Sequence, residues 1–273
     1  MARLLALVSL LAAIASAGCS TVGRLVPYSP ALVSPTVKVI ELGGLYNVTL
    51  LIGAKPVLVD TGPPEAFDDL VKALAAEGIE ARSLALVVLT HGHSDHAGGA
   101  ARLQALGVPV FAHEGDLPYL ESGDHDQLFA TNFEAVFAQP FISPKYPKLV
   151  PDVVMRGTAP LSLEPYGLDA EVVWAGGHTP GSIVVHASNG AVVLGDLIRG
   201  GWLGGLVGRN APATHLYHAW PVEEGKAQAE GFARRVARCE DVKVAFVGHG
   251  GPIPIEALRS WAGDDPDAGS CPW

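Results

Sequence analysis

Charge is scarce in this 273-residue chain: Lys, Arg, Asp and Glu make up only 17% of it, against 49% hydrophobic residues. So apolar a composition supports a buried core and excludes disorder as the organising principle. Basic charge is scarcer still. The net charge is −10 and no run of Lys or Arg occurs, which excludes a nucleic-acid surface or a basic membrane-binding face. Cysteine is nearly absent. Only Cys19, Cys239 and Cys271 occur, none at metal-ligand spacing, so a thiolate metal site is excluded. Cys239 and Cys271 could pair in an oxidising compartment, a point that spacing leaves open. No internal repeat is visible. The glycine-rich stretch "GGWLGGLVG" (200–208) lacks both the GK[ST] of a phosphate loop and the acidic partner of a dinucleotide fingerprint. It is expected to form a flexible apolar loop.

The apolar run from Leu4 to Ala17 is too short to span a bilayer comfortably. Arg3 precedes it and "SAGC" ends it, which predicts a signal peptide over residues 1–18. "SAGC" resembles a bacterial lipoprotein cleavage box in which Ser16 stands where Leu is usual, with Cys19 as the lipidated new N-terminus. The expected location is the periplasm, with a lipid anchor as the chain's sole attachment to a membrane. Residues 19–36, with prolines at 27, 30 and 35, are expected to form a tether. A globular domain over 37–262 and a short tail over 263–273 complete the plan.

Within the domain, "TVKVIEL", "NVTLLIG" and "KPVLVDTG" predict three strands joined by tight turns. "PEAFDDLVKALAAEG" carries Phe67, Leu70, Val71 and Leu74 on one face, between Pro64 and Gly78, and predicts a helix. "LALVVLT" is a buried-strand run that leads directly into His91, and "DHAGGAARLQALG" predicts the next helix. Further strands are expected at "VPVFAH", "AEVVWAG", "SIVVHAS", "AVVLGD" and "VKVAFVG", with a helix near 222–239. Phe129, Phe133, Phe137 and Phe141 recur every four residues and predict a short helix with an aromatic stripe, for packing or for a binding wall. Strands in each half with intervening helices imply two sheets facing each other with helices outside.

The chemistry concentrates in "LTHGHSDHAGG" (89–99). His91 and His93 lie two apart where a strand ends, so both imidazoles can reach one ion. Asp95 and His96 follow as a helix begins and can reach a second. Three further residues each come directly after a predicted strand: His178 in "GGHTPGS", Asp196 in "VVLGD" and His249 in "FVGHGGP".

These motifs, with "VLVDTG" upstream, resemble the metallo-β-lactamase superfamily over roughly residues 37–255. The resemblance implies an α/β fold, an αββα sandwich of two mixed β-sheets flanked by helices, with metals at one edge between the sheets. It implies that His91, His93 and His178 hold one zinc ion, that Asp95, His96 and His249 hold a second, and that Asp196 bridges them. Asp60 of "VDTG" matches a position that orients ligands.

Two zinc ions, two carboxylates and a bridging hydroxide sum to about +1, a charge that holds hydroxide at neutral pH and stabilises an oxyanion. The expected reaction is hydrolysis of a small ester, lactone or thioester with an apolar part, with Asp95 and Asp196 as catalytic carboxylates. Trp202, His215, Tyr217 and His218 are candidate substrate or oxyanion contacts. Asp196 stands where true β-lactamases typically carry Cys or Ser, which places β-lactam hydrolysis second. Only 24 residues follow His249, with Arg259 the one base among them, which points away from glutathione thioesters. A mononuclear iron persulfide dioxygenase, using His91, His178 and Asp196 on one ferrous ion, is a third reading. A non-catalytic metal-binding lipoprotein is a fourth.

Overall fold

The computed structural model describes residues 24–25, 37–125, 128–219, 221–264 and 269–273. The proposed signal peptide, Cys19 and all of the proposed tether except Arg24–Leu25 lie outside the described residues. The chain runs through β1 (Arg24–Leu25), β2 (Val37–Leu42), β3 (Tyr46–Ile52), β4 (Pro56–Val59), β5 (Leu86–Val88) and β6 (Val110–His113). After these come β7 (Phe129–Ala130), β8 (Val153–Met155), β9 (Leu161–Ser162), β10 (Ala170–Trp174), β11 (Ile183–Ala187) and β12 (Ala191–Gly195). The last are β13 (Ile198–Trp202), β14 (Val207–Thr214), β15 (Tyr217–His218), β16 (Val244–Val247) and β17 (Ile253–Pro254).

Two mixed sheets dominate. The first has the order β1-β2-β3-β4-β5-β6-β8 and the second β17-β16-β12-β11-β10-β9. The runs that predicted strands are continuously apolar because both faces of each sheet are covered. In β5, Leu86 and Val88 point between the sheets while Val87 points outward. In the second sheet, Ile183, Val185, Val193 and Phe246 meet them from the other side. The opposite faces of the two sheets are closed by helices. Phe67–Ala76 and Ala100–Ala105 cover the first, and Val222–Val236 and Ile255–Ala262 cover the second. The expected αββα sandwich is the architecture observed.

Three local expectations need correction. The helix predicted from "DHAGGAARLQALG" is two, Ser94–Ala97 and Ala100–Ala105. The break comes at Gly98 and Gly99, where the backbone lies against Pro64 and Thr61. The aromatic stripe is not one helix. Phe129 lies in β7, which pairs with β15, and only Phe133–Ala138 is α-helical. Asn132 starts that helix by accepting the Ala135 amide at 3.0 Å. The "GGWLGGLVG" stretch is not a loop but the end of an antiparallel hairpin, with Trp202 opposite Val207. Positive φ at Leu203, Gly204 and Gly205 turns its tip.

Cys239 and Cys271 form a disulfide that spans 32 residues, and Trp273 stacks on His186 at 4.1 Å. Together they pin the C-terminal segment to the second sheet. A bridge of that span contributes about 3–4 kcal/mol on a chain-entropy account. Cys239→Ser, or reduction of the wild type, should therefore lower the melting temperature by about 10 °C. Equal thermal unfolding of the oxidised and reduced proteins would count against this role.

Candidate metal centre

The predicted ligands lie beyond the carboxyl ends of strands on one edge of the sandwich, with Asp95 and His96 on the short Ser94–Ala97 helix. The parallel pairs β4–β5 and β12–β16 place those ends side by side. Asp60 follows β4, His91 follows β5 after Leu89 and Thr90, Asp196 follows β12, and His249 comes two residues after β16. The loop after β10 brings in His178. Gly248 makes the close approach possible, because a Cβ there would collide with Asp196 Oδ1 and His96 Cε1.

Two ligand groups at the edge hold the predicted residues, and a third, His178, Asp196 and His215, overlaps both. In the first, His178 Nε2 lies 3.1 Å from His91 Nε2 and 3.0 Å from His93 Nδ1. The second holds Asp95, His96, Asp196 and His249, with ligand atoms within 4.8 Å of one another. Asp196 joins them. Its Oδ2 is 3.2 Å from His96 Nε2 and 3.3 Å from His249 Nε2 in the second group, and 3.8 Å from His178 Nε2 and 3.9 Å from His91 Nε2 in the first.

Three of the five predicted ligand imidazoles are oriented from behind. His178 Nδ1 donates to the Tyr217 carbonyl at 2.8 Å, His249 Nδ1 to the Leu45 carbonyl at 2.9 Å, and His96 Nδ1 to Asp60 Oδ2 at 2.8 Å. A carbonyl or carboxylate can only accept, so each of these three rings carries a proton on Nδ1 and turns Nε2 towards the centre. Asp60 also accepts from the Thr90 amide and hydroxyl, and it does so at a φ of 65°, a costly conformation for a non-glycine residue.

This donor set fits a cation. Burial, reinforced by neighbouring imidazoles, holds His91, His93 and His178 well below the ordinary imidazole range, so all three offer lone pairs at neutral pH. Asp95 and Asp196 stay ionised. Burial opposes their charge, but nearby histidines, His96 for Asp95 and His215 and His96 for Asp196, hold both carboxyls well below their usual range. Burial also opposes a charge on His249, yet Asp196 and Asp95 push its pKa up to about 10. The carboxylates thus draw positive charge into the centre. Asp196 Oδ1 is buried with no hydrogen-bond partner among the described residues, a cost that a metal ion removes.

The family model described as the metallo-β-lactamase superfamily matches residues 43–228. The chain belongs to this superfamily. It is 31% identical over 154 residues to a hydroxyacylglutathione hydrolase of Anaeromyxobacter dehalogenans, covering 56% of this chain and 46% of that protein. It is 27% identical over 153 residues to a probable metallo-hydrolase of Methanocaldococcus jannaschii, covering 56% of this chain and 66% of the relative. The chain thus spans about half to two thirds of the length of these relatives. A subclass B3 metallo-β-lactamase of Bradyrhizobium japonicum superposes with a TM-score of 0.59 at 19% identity, covering 88% and 90% of the two chains. At that identity the likeness is one of fold.

Within this metallo-β-lactamase fold, the seven predicted ligands and Asp60 come together. The predicted substrate contacts divide. Tyr217 does not face the centre with its phenol, which donates to the Ala135 carbonyl at 2.7 Å. Its backbone carbonyl orients His178 instead. Trp202 is exposed at the hairpin tip, and its partner is the Arg199 guanidinium at 5.1 Å. His218 is buried 5.7 Å from the His178 ring, and neither of its nitrogens has a hydrogen-bond partner among the described residues. Burial, then His215, pushes its pKa down to about 3, so it stays neutral. His215 comes closer than sequence spacing suggests, with Nε2 3.1 Å from Asp196 Oδ2.

Two supporting residues were not predicted. Asp116 is a buried bracket between the two histidine loops. Its Oδ2 accepts from the Gly92 amide and the Thr179 hydroxyl, both at 2.7 Å, and its Oδ1 from the Gly181 amide at 2.8 Å. Asn47 ties the sheets together, donating from Nδ2 to the Val247 and Gly250 carbonyls beside His249. In sequence, both are ordinary polar residues in or after a strand. Asp116→Ala leaves two buried amides unpaired and should cost about 2–4 kcal/mol of stability. It should also weaken metal binding about 10–100-fold, as read by chelator competition on the folded variant. Unchanged metal affinity would reduce Asp116 to a packing residue.

Proposed function

We propose that this chain is a dinuclear zinc hydrolase that cleaves a small carboxylic ester, lactone or thioester with an apolar part. The observation that carries this reading is a second ligand group, Asp95, His96, Asp196 and His249, complete beside His91, His93 and His178. One iron ion on His91, His178 and Asp196 would leave Asp95, His96 and His249 without a role. When bound, zinc supplies Lewis acidity towards the carbonyl and lowers the pKa of the attacking water.

The chain's own groups do the rest. Asp196 carries the negative charge that holds the two ligand groups together. Asp95 is better exposed than Asp196, at 24% against 2% of the side chain, and orients the attacking water from the open side. His218 is neutral and has no hydrogen-bond partner among the described residues, so it can donate to a substrate oxygen. Arg259 does not offer a glutathione anchor, because its guanidinium donates to the Ala237 and Cys239 carbonyls. Export and lipidation at Cys19 belong to the same proposal. Membrane fractionation of wild type and Cys19→Ala tests them.

Metal analysis should return two zinc ions per chain, and Asp196→Ala should lose bound metal and hydrolysis together. One iron with persulfide oxidation would replace the reading by the dioxygenase. A panel of acyl lactones, aryl esters, glutathione thioesters and a chromogenic cephalosporin should show turnover of apolar lactones or esters. Cephalosporin cleavage without esterase or lactonase activity would transfer the chain to the β-lactam class.

A further inference from the structure

Two exposed apolar arms flank the candidate centre, and an ion pair between a buried arginine and a partly buried glutamate joins them. One arm is the Phe133–Ala138 helix, where Phe133 and Phe137 stand edge to face at 4.4 Å on the solvent side. The other is the tip of the β13–β14 hairpin, with Trp202, Leu203 and Leu206 exposed. Apolar surface gathered in this way marks a binding region more often than chance exposure does.

The pair between the arms is Arg199 and Glu134. Arg199 is only 2% exposed, and its Nη1 and Nη2 donate to Glu134 Oε1 and Oε2 at 3.0 and 2.8 Å. Glu134 Oε1 also accepts the Leu203 amide at 3.0 Å, and Leu203 has a φ of 52°, where a branched side chain is strained. One carboxylate therefore holds the helix, the buried arginine and the strained hairpin tip. An ion pair with one buried partner is weak support for stability, because desolvation of the arginine offsets much of its attraction. What a two-pronged fork does supply is a fixed relative position. The two charges also cancel, so the arms present a surface without net charge.

Both arms connect to the centre. The Thr131 hydroxyl donates to the His215 carbonyl at 2.7 Å, and the Tyr217 phenol to the Ala135 carbonyl. On the hairpin, the Gly200 amide donates to the His249 carbonyl at 2.8 Å. Gly204 lies so close to Leu45 that a Cβ would fall 2.6 Å from Leu45 Cδ2.

We propose that Glu134 is a positioning residue. With Arg199 it holds Phe133, Phe137, Trp202 and Leu203 as one wall that receives the uncharged apolar chain of the substrate. This deepens the hydrolase reading and rests on it for the fate of the carbonyl, but not for binding of the chain.

The test compares wild type with Glu134→Gln, both metal-loaded. Calorimetry with butanoate and decanoate reads the wall, and KM and kcat for butanoyl and decanoyl aryl esters read its use. Wild type should bind decanoate at least about tenfold more tightly than butanoate. In Glu134→Gln that ratio should fall to within about threefold, through KM and not kcat, with metal content and butanoate affinity unchanged. Phe133→Ser is on the surface and should show the same loss if the glutamine variant fails to fold. An equal chain-length ratio in all three proteins overturns the proposal. So does a wild type without chain preference, or one whose arms mediate a dimer that Glu134→Gln dissociates in sedimentation. Chain-length selectivity in binding without turnover of any ester or lactone leaves the wall standing and removes the hydrolase reading.

Discussion

The centre depends on one buried carboxylate. Asp196 sits where imidazoles from five histidines converge within 3.1–3.9 Å of its Oδ2. A charge so thoroughly removed from water is tolerable only if its surroundings supply compensating positive charge. The histidines of the second group respond to that demand, while burial keeps those of the first group neutral. Three of the imidazoles are turned inward by an acceptor outside the centre: His96 by Asp60, His178 by the Tyr217 carbonyl and His249 by the Leu45 carbonyl.

The sandwich exists, in this light, to bring loops from two sheets to one edge and keep them there. The inter-sheet core of Val, Leu, Ile and Phe side chains sets the distance between the sheets. Polar brackets then set the loops. Asp116 joins the His91–His93 loop of the first sheet to the His178 loop of the second. Asn47 and Arg209 tie the His249 loop to the first sheet and to the hairpin. Asp116 and Asn47 are buried and hold these loops with several hydrogen bonds each.

Around this rigid centre the surface changes character. The hairpin tip and the short Phe133–Ala138 helix expose apolar side chains, while histidine and aspartate side chains gather at the candidate metal centre. A carbonyl bound at the centre and an apolar chain on the wall would divide a substrate between two environments, one for reaction and one for selection.

What the sequence made legible by itself was the set of candidate ligands and the layer order. His91, His93, Asp95 and His96 lie in one short segment after a buried strand, and His178, Asp196 and His249 each follow a strand; the resemblance to the superfamily divided them between two ions. The αββα arrangement was legible because a continuously apolar strand must be covered on both faces. The disulfide, the break at Gly98 and Gly99, the split of the aromatic stripe and the ordered hairpin at 200–208 were decided by tertiary contacts. So were the roles of Asp116, Asn47, His215, Glu134 and Arg199, whose partners are distant in the chain. The physical reason is the same in each case. A metal-ligand motif is written in neighbouring residues or strand ends, whereas a buried hydrogen bond or ion pair acquires meaning only when the fold supplies the other half.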